Sequence, residues 1–246
     1  MSLLAKLKRT TDIQPETDRP LNGGRKQLEA GVHDFVIEYA YLEEAATGAL
    51  AVVIKFTSPD GEFTTREWIM SGREKGNTNF YTDKQGNKRY LPGFVTASNI
   101  VRLTLDKELD ELEPEDKVLM LYDGSAGRET PQTKPVLVDL SGCEITLGIK
   151  KILEDGYKDP TKSRTNYEIV TVFHTATGCT VPELEADLTQ GTYIDTFRAK
   201  FTGEAGVVDK RVQSKEGAKP SSNSVPDAPF NNAGTAAAPK KKLLLS

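Results

Sequence analysis

The chain has 246 residues, enough to bury a substantial core as one large domain with tails or as two small domains. Its hydrophobic content is 37% and its net charge is −4, which excludes a protein that holds nucleic acid through its overall charge; any such activity has to sit on a local basic patch. Two cysteines, Cys143 and Cys179, make no disulfide framework, and no run approaches the ~20 apolar residues of a membrane span, so a reduced, cytosolic setting with no membrane partner is expected.

The start, MSLLAKLKRTT, reads as a short amphipathic arm, because it lacks a signal-peptide core and a small-residue cleavage site. Pro15, Pro20, Gly23 and Gly24 make residues 1–30 an irregular lead-in. Three strands are then predicted in succession. Val32–Tyr41 alternates, with His33, Phe35, Ile37 and Tyr39 on one face; Ala49–Ser58 follows a turn around Gly48; Glu62–Met70 follows the Asp60-Gly61 turn. Short turns between them predict an antiparallel meander. Val95–Leu105 has near-helical apolar spacing, with Thr96 or Ser98 as the cap. Asp106–Asp116, with seven acids and one lysine, is a solvated segment that repels a phosphate backbone.

Lys117–Asp123 is a further strand, and Lys134–Leu153 reads as one or two strands broken at Ser141-Gly142. A polar loop, Asp155–Asn166, leads to a strand over Tyr167–Ala176, a helical turn over Val181–Leu188 and a helix over Thr192–Phe201. From about Gly206 the chain is rich in Ser, Pro, Ala, Gly and Asn, and residues 206–246 are expected to be a disordered tail, leaving one globular domain over 31–205. Three strands, a helix and further strands, in that order, predict a mainly β fold with minor α: an OB-fold-like five-stranded Greek-key barrel with an inserted hairpin.

Recognisable catalytic motifs are missing: the sequence has no GxxxxGK[ST], GxGxxG, HExxH or GxSxG. His33, His174, Cys143 and Cys179 lack metal-ligand spacing and read as ordinary core or surface residues, so no metal, no cofactor and no catalytic residue is expected. The informative stretch runs from Thr64 to Phe94. It holds six bases, Arg66, Arg73, Lys75, Lys84, Lys88 and Arg89, against three acids, Glu67, Glu74 and Asp83. Trp68, Phe80, Tyr81, Tyr90 and Phe94 are interleaved with them. Binders of single-stranded nucleic acid need this pairing, cations for the backbone and ring faces for the bases. Gly72, Gly76, Gly86 and Gly93 would let the backbone approach a strand closely.

The rings also admit a structural use. The run TDKQGNKRY reads as a β-hairpin turning over Asp83–Asn87, on which Tyr81 and Tyr90 can pair across strands, while Phe94 plugs the core and Trp68 faces inward. Phe94 is expected inside and the two tyrosines outside. A second basic loop, Lys158, Lys162 and Arg164, either lines the same groove or is simply solvated.

Three blocks, DRPLNGGRKQLEAGVHDFVIEYAY, SGREKGNTNFYTDKQGNKRYLPGF and VLVDLSGCEITLGI, resemble a family of bacteriophage single-stranded DNA-binding proteins, in the same order, from about Asp18 to about Phe173. The resemblance implies an OB-type core that coats single-stranded DNA during phage replication and recombination in the host bacterial cytoplasm. It supplies no base-contacting residues. The residue chemistry assigns Arg66, Arg73, Lys75, Lys84, Lys88 and Arg89 to the DNA backbone and Trp68, Phe80, Tyr81 and Tyr90 to base stacking. The end departs from the acidic, apolar-tipped tail common in this class: residues 206–246 carry seven bases and three acids, and PDAPF (226–230) is internal. The tail is the expected contact for phage replication or recombination proteins, and its basic end an alternative source of DNA affinity. Two other functions stand beside DNA binding: a β-rich phage protein-interaction module without DNA binding, and a metal-dependent nuclease.

Overall fold

The computed structural model describes residues 27–212. Strands β1 (Gly31–Glu44), β2 (Leu50–Ser58) and β3 (Gly61–Met70) form the expected antiparallel meander. A 3₁₀ turn at Arg73–Lys75 leads to a separate hairpin, β4 (Phe80–Thr82) and β5 (Lys88–Tyr90), and then to helix α1 (Pro92–Leu105). A second hairpin follows, β6 (Glu115–Asp123) and β7 (Arg128–Val136). Strands β8 (Glu144–Asp155) and β9 (Ser163–Phe173) pair from Thr146↔Phe173 to Asp155↔Ser163. Helices α2 (Val181–Glu185) and α3 (Tyr193–Phe201) precede a short last strand, β10 (Val207–Asp209), parallel to β8.

The main core is the face shared by Phe35, Ile37, Val52, Ile54, Phe56, Ile145, Leu147 and Ile149, capped by Ile100 and Val101 of α1. Each such side chain contributes about 1.5–3 kcal/mol by leaving water. Helix α1 buries Ala97, Ile100, Val101 and Leu103, the 3–4 residue spacing of an amphipathic helix. It begins three residues before the predicted start. Pro92 sits in its first turn, where a missing N–H costs nothing, and neither Thr96 nor Ser98 caps it: Thr96 donates back to the Pro92 carbonyl. It ends at Asp106, which turns left-handed at φ 52°.

Strand β1 organises the sheet. Its first half, Gly31–Val36, pairs with β8, and its register with β2 shifts between Ile37 and Tyr39. This bulge reverses the alternation. Phe35 and Ile37 face the main core, and so do Ala40 and Leu42, whereas Tyr39 and Tyr41 turn to the opposite face. Strict alternation had put Tyr39 with Phe35 and Ile37. Beyond the bulge, Tyr41 pairs with Val136 of β7. The second face then collects Tyr41, Val53, Leu121 and Val136 into a small cluster of its own.

The eight-stranded sheet stays open and does not close into a five-stranded barrel. Among the described residues β3 pairs with β2 alone and β9 with β8 alone. Helix α1 packs on both β3 and β9 and fills the gap between them. Glu67 of β3 lies in that gap; burial pushes its carboxyl above the usual range, and the charge of Glu168 on β9 adds to the rise.

Other boundaries move as well. Strand β7 starts at Arg128, six residues before the expected strand, because its prolines lie on an outer hairpin where a ladder tolerates them. The expected lead-in contributes Leu28 and Ala30 to the interior. The expected tail begins too early, since β10 adds to the sheet and Val212 N–H donates to Asp155. The rest of the arm (1–26), the rest of the tail (213–246) and the PDAPF motif lie outside the described residues. Among the described residues no helix is long and apolar enough to cross a membrane.

Glu183 joins the last two helices. Its carboxylate accepts from Thr180 N–H and Oγ1 at the start of α2, and from Thr192 N–H, Thr192 Oγ1 and Tyr193 N–H at the start of α3. Burial pushes its pKa up, but these donors outweigh burial and hold it at about 2. A folded pKa below the unfolded one stabilises the protein fully above the unfolded value of 4.5, and that stability is lost as pH falls toward about 2. Glu183→Gln is expected to lose about 1–3 kcal/mol in urea unfolding at neutral pH. The deficit should shrink on acidification through that window.

Candidate nucleic-acid interface

The site starts at the end of β3. Trp68 is opposite Ala51, and Arg66 is opposite Val53, which in turn pairs with Tyr41. Paired residues share a face. Trp68 and Arg66 therefore stand on the second face of the sheet, outside the main core, and Trp68 is 42% exposed. An inward Trp68 is thereby corrected.

Past Met70 the chain folds back onto the β1–β2 turn. Arg73 N–H donates to the Thr47 carbonyl (2.8 Å), and Ser71 and Thr78 join the two ends of the excursion through backbone and hydroxyl bonds. The β4–β5 hairpin then stands beside Trp68. Together these segments wall a groove of about 620 Å³, lined by Trp68, Met70, Phe80, Tyr81 and Leu91, with Lys75 and Glu74 at its rim. A volume of this size is within the ~300–1,000 Å³ of small-molecule sites.

Asp83 fixes the hairpin. Its carboxylate accepts from Arg89 Nε (2.8 Å), Asn87 N–H (2.8 Å) and Gln85 N–H (3.0 Å). The Arg89 guanidinium, then the Asn87 N–H, hold the Asp83 carboxyl below the usual range. The register sets Phe80 opposite Tyr90 and Tyr81 opposite Arg89. Tyr81 and Tyr90 thus lie on opposite faces of the hairpin and are not a cross-strand pair. Tyr81, 44% exposed, faces the groove with Trp68. Tyr90, 59% exposed, lies outside it, its ring centroid 5.1 Å from that of Phe94. Phe94 is half-buried against the main core. Phe80 shares the hairpin face of Tyr90 by register yet also lines the groove, with Lys88 Nζ 4.8 Å from its ring centroid. Three of the four predicted stacking residues thus meet at one groove, and Tyr90 does not.

The six predicted cations divide into two groups. Arg66 Nη2 is 2.7 Å from Glu43, Arg73 Nη2 is 3.2 Å from Glu44, and Arg89 Nε is 2.8 Å from Asp83. These arginines hold the scaffold. The stem of Arg73 also lies against Gly48, so closely that a Cβ there would come within 2.6 Å of it. Among the described residues Lys75, Lys84 and Lys88 have no carboxylate in ion-pair range and remain available to an external anion. The partners Glu43 and Glu44 were not anticipated, because they lie on another strand more than twenty residues away. Acidic residues at a strand end opposite a basic strand were the only available signal.

The second basic loop is likewise mostly paired, Lys162 with Asp159 and Arg164 with Glu154. A groove on the other side of Phe80, lined by Leu42, Phe94 and Leu109, carries Glu108 and Asp110 and repels phosphate. His33 Nδ1 lies 3.6 Å from Asp60, and His174 Nδ1 is 3.0 Å from Thr177 Oγ1. Among the described residues no three His, Cys, Asp or Glu side chains are grouped to hold a metal ion.

Gly93 sets the wall's position. A Cβ at this residue would come to 2.6 Å from both N and O of Trp68. The glycine in the LPGF block therefore serves contact between α1 and β3, and Gly76 and Gly86 close turns at φ 83° and 87°. Gly93→Ala is expected to cost about 1–3 kcal/mol in urea unfolding, as overpacking does, and to shift the Trp68 emission spectrum as the groove wall moves. No protein-family model matches the chain and no curated protein matches it, so the chemistry of this groove is what bears on function.

Proposed function

We propose that the chain is a non-enzymatic single-stranded DNA-binding protein of a phage, with little sequence preference, acting in replication or recombination in the host bacterial cytoplasm. The observation that carries this reading is the groove where Trp68, Phe80 and Tyr81 converge with Lys75, walled by a hairpin that also carries Lys84 and Lys88. Rings supply stacking faces that accept any base, and Lys75, Lys84 and Lys88 supply charge for the phosphates. Neither interaction reads base edges. Trp68 in its wall stands on the second face of the sheet and is 42% exposed, so its ring is open to a ligand.

The order of the strands supports an OB-type core. The β1–β2–β3 meander, α1 after β3, and β8 returning to the far edge of β1 with β9 beyond it follow the OB arrangement, with β6–β7 as an insertion and the β3–β9 seam left unzipped. In that fold the strand 2–3 face binds oligonucleotides, and here Trp68 occupies it.

Fluorescence anisotropy with oligo-dT tests the proposal. Affinity should fall with salt, with a slope of about −0.7 per phosphate neutralised on single strands. Replacing Lys75, Lys84 and Lys88 together by Ala should make the slope shallower by about 2, whatever the basic tail adds. Trp68→Ala or Tyr81→Ala should weaken binding by about 1–3 kcal/mol with unchanged circular dichroism. Tyr90→Ala should matter less. Equal affinity for duplex, or an unchanged slope in the triple variant, contradicts the proposal. Cleavage of labelled strands with Mg²⁺ would favour a nuclease instead.

A further inference from the structure

Strand β6 is an edge strand: among the described residues it pairs with β7 alone. Natural edges are usually blunted by central charges, prolines or bulges. Here the charges lie at the ends, Glu115, Asp116 and Lys117 at one and Asp123 at the other, and the centre reads Val-Leu-Met-Leu-Tyr. Leu119 and Leu121 turn inward against Tyr41 and Val53. Val118, Met120 and Tyr122 turn outward and are 67%, 58% and 70% exposed. Three large apolar side chains in a row on an open edge form a patch that solvent disfavours.

The hydrogen-bonding direction of this edge can be deduced. Pro131 pairs with Met120, and Pro135 with Asp116. Proline has no N–H, so the bonded rungs of the β6–β7 ladder fall on the alternate pairs, Lys117↔Lys134, Leu119↔Gln132 and Leu121↔Thr130. The N–H and C=O groups of Val118, Met120 and Tyr122 then point out of the open edge.

We propose that this edge pairs antiparallel with β6 of a second copy of the chain, about a two-fold axis at Met120. An isologous contact of this kind closes on itself and does not propagate. A two-fold perpendicular to the sheet requires opposite residues to share a face, which limits the registers. With Met120 opposite Met120 of the copy, Val118 lies opposite Tyr122, both apolar stripes fall on one face, and every outward N–H and C=O finds a partner. Lys117 then lies opposite Asp123 of the copy, twice over, and no like charges oppose one another. Moving the axis to Leu119 would set Glu115 against Asp123, and moving it to Leu121 would set Asp123 against Leu119. The charges at the two ends of β6 therefore select the Met120 register. The contact lies on the β6–β7 hairpin, no residue of which lines the groove, and does not depend on the DNA-binding reading.

Sedimentation velocity of the full chain, with and without Met120→Lys, tests it. Wild type should sediment as a dimer at micromolar concentration. Met120→Lys places two ammonium groups opposite each other and should weaken association by about tenfold or more, with unchanged circular dichroism. Met120→Cys should cross-link to itself under mild oxidation, seen as a dimer band on a non-reducing gel, while Thr133→Cys on β7 should not. A wild-type monomer, which would leave the edge to another segment or partner, overturns the proposal. So does a dimer that survives Met120→Lys, or cross-linking through Thr133→Cys alone.

Discussion

The bulge in β1 is the constraint on which the rest of the molecule depends. A single strand of 14 residues pairs with β8 along its first half and with β7 at its second, and lies along β2 for much of its length. It manages this because its register slips between Ile37 and Tyr39 and the two halves present opposite alternations. Before the slip, the odd-numbered residues Phe35 and Ile37 face the main core. After it, the even-numbered Ala40 and Leu42 do, and the tyrosines are free to build the second face. That face carries Arg66 and Trp68 on β3. Without the slip, Tyr39 and Tyr41 would point into the helix-covered core, and the β6–β7 hairpin would lose the cluster on which it rests.

The groove is assembled from segments that each have a local reason to be where they are. Gly93 lets α1 start against the Trp68 backbone. Asp83 gathers the hairpin loop and restrains Arg89. Arg73 ties the excursion to the β1–β2 turn. Half of the positive charge in this stretch is therefore spent on architecture. Surface ion pairs of this kind contribute little stability individually, but each occupies a cation that a phosphate would otherwise use. On the proposed function, the three exposed lysines are the charge that remains for phosphates.

The meander, the central hairpin, the helix after it and the two late helices were legible in the sequence, because each rests on local signals: alternation, the Asp60-Gly61 turn, the Asp83–Asn87 loop and 3.6-residue spacing. What was hidden depends on partners distant in the chain. The bulge leaves no mark in VHDFVIEYAY, where strict alternation is the simpler pattern. Strand β7 was masked by Pro131 and Pro135, which a central strand would forbid but an outer hairpin accepts. The barrel was expected to close because the predicted order of three strands, a helix and further strands is compatible with one. It stays open where α1 packs on both β3 and β9, a matter of three-dimensional neighbours. In the candidate site, Trp68, Lys75, Phe80 and Tyr81, which local composition had grouped, line one groove. The division of the cations into paired arginines and unpaired lysines, and the outward turn of Tyr90, depended on Glu43, Glu44 and the hairpin register.

Trp68 is the only tryptophan of the chain, and it stands in the groove wall, so its intrinsic emission reports the site without any label. Titration with oligo-dT should quench that emission in a saturable way, with the same midpoint as anisotropy measured on the labelled oligonucleotide, and added salt should restore it in parallel. Anisotropy that rises while Trp68 emission stays unchanged would place the DNA elsewhere on the molecule and contradict the account.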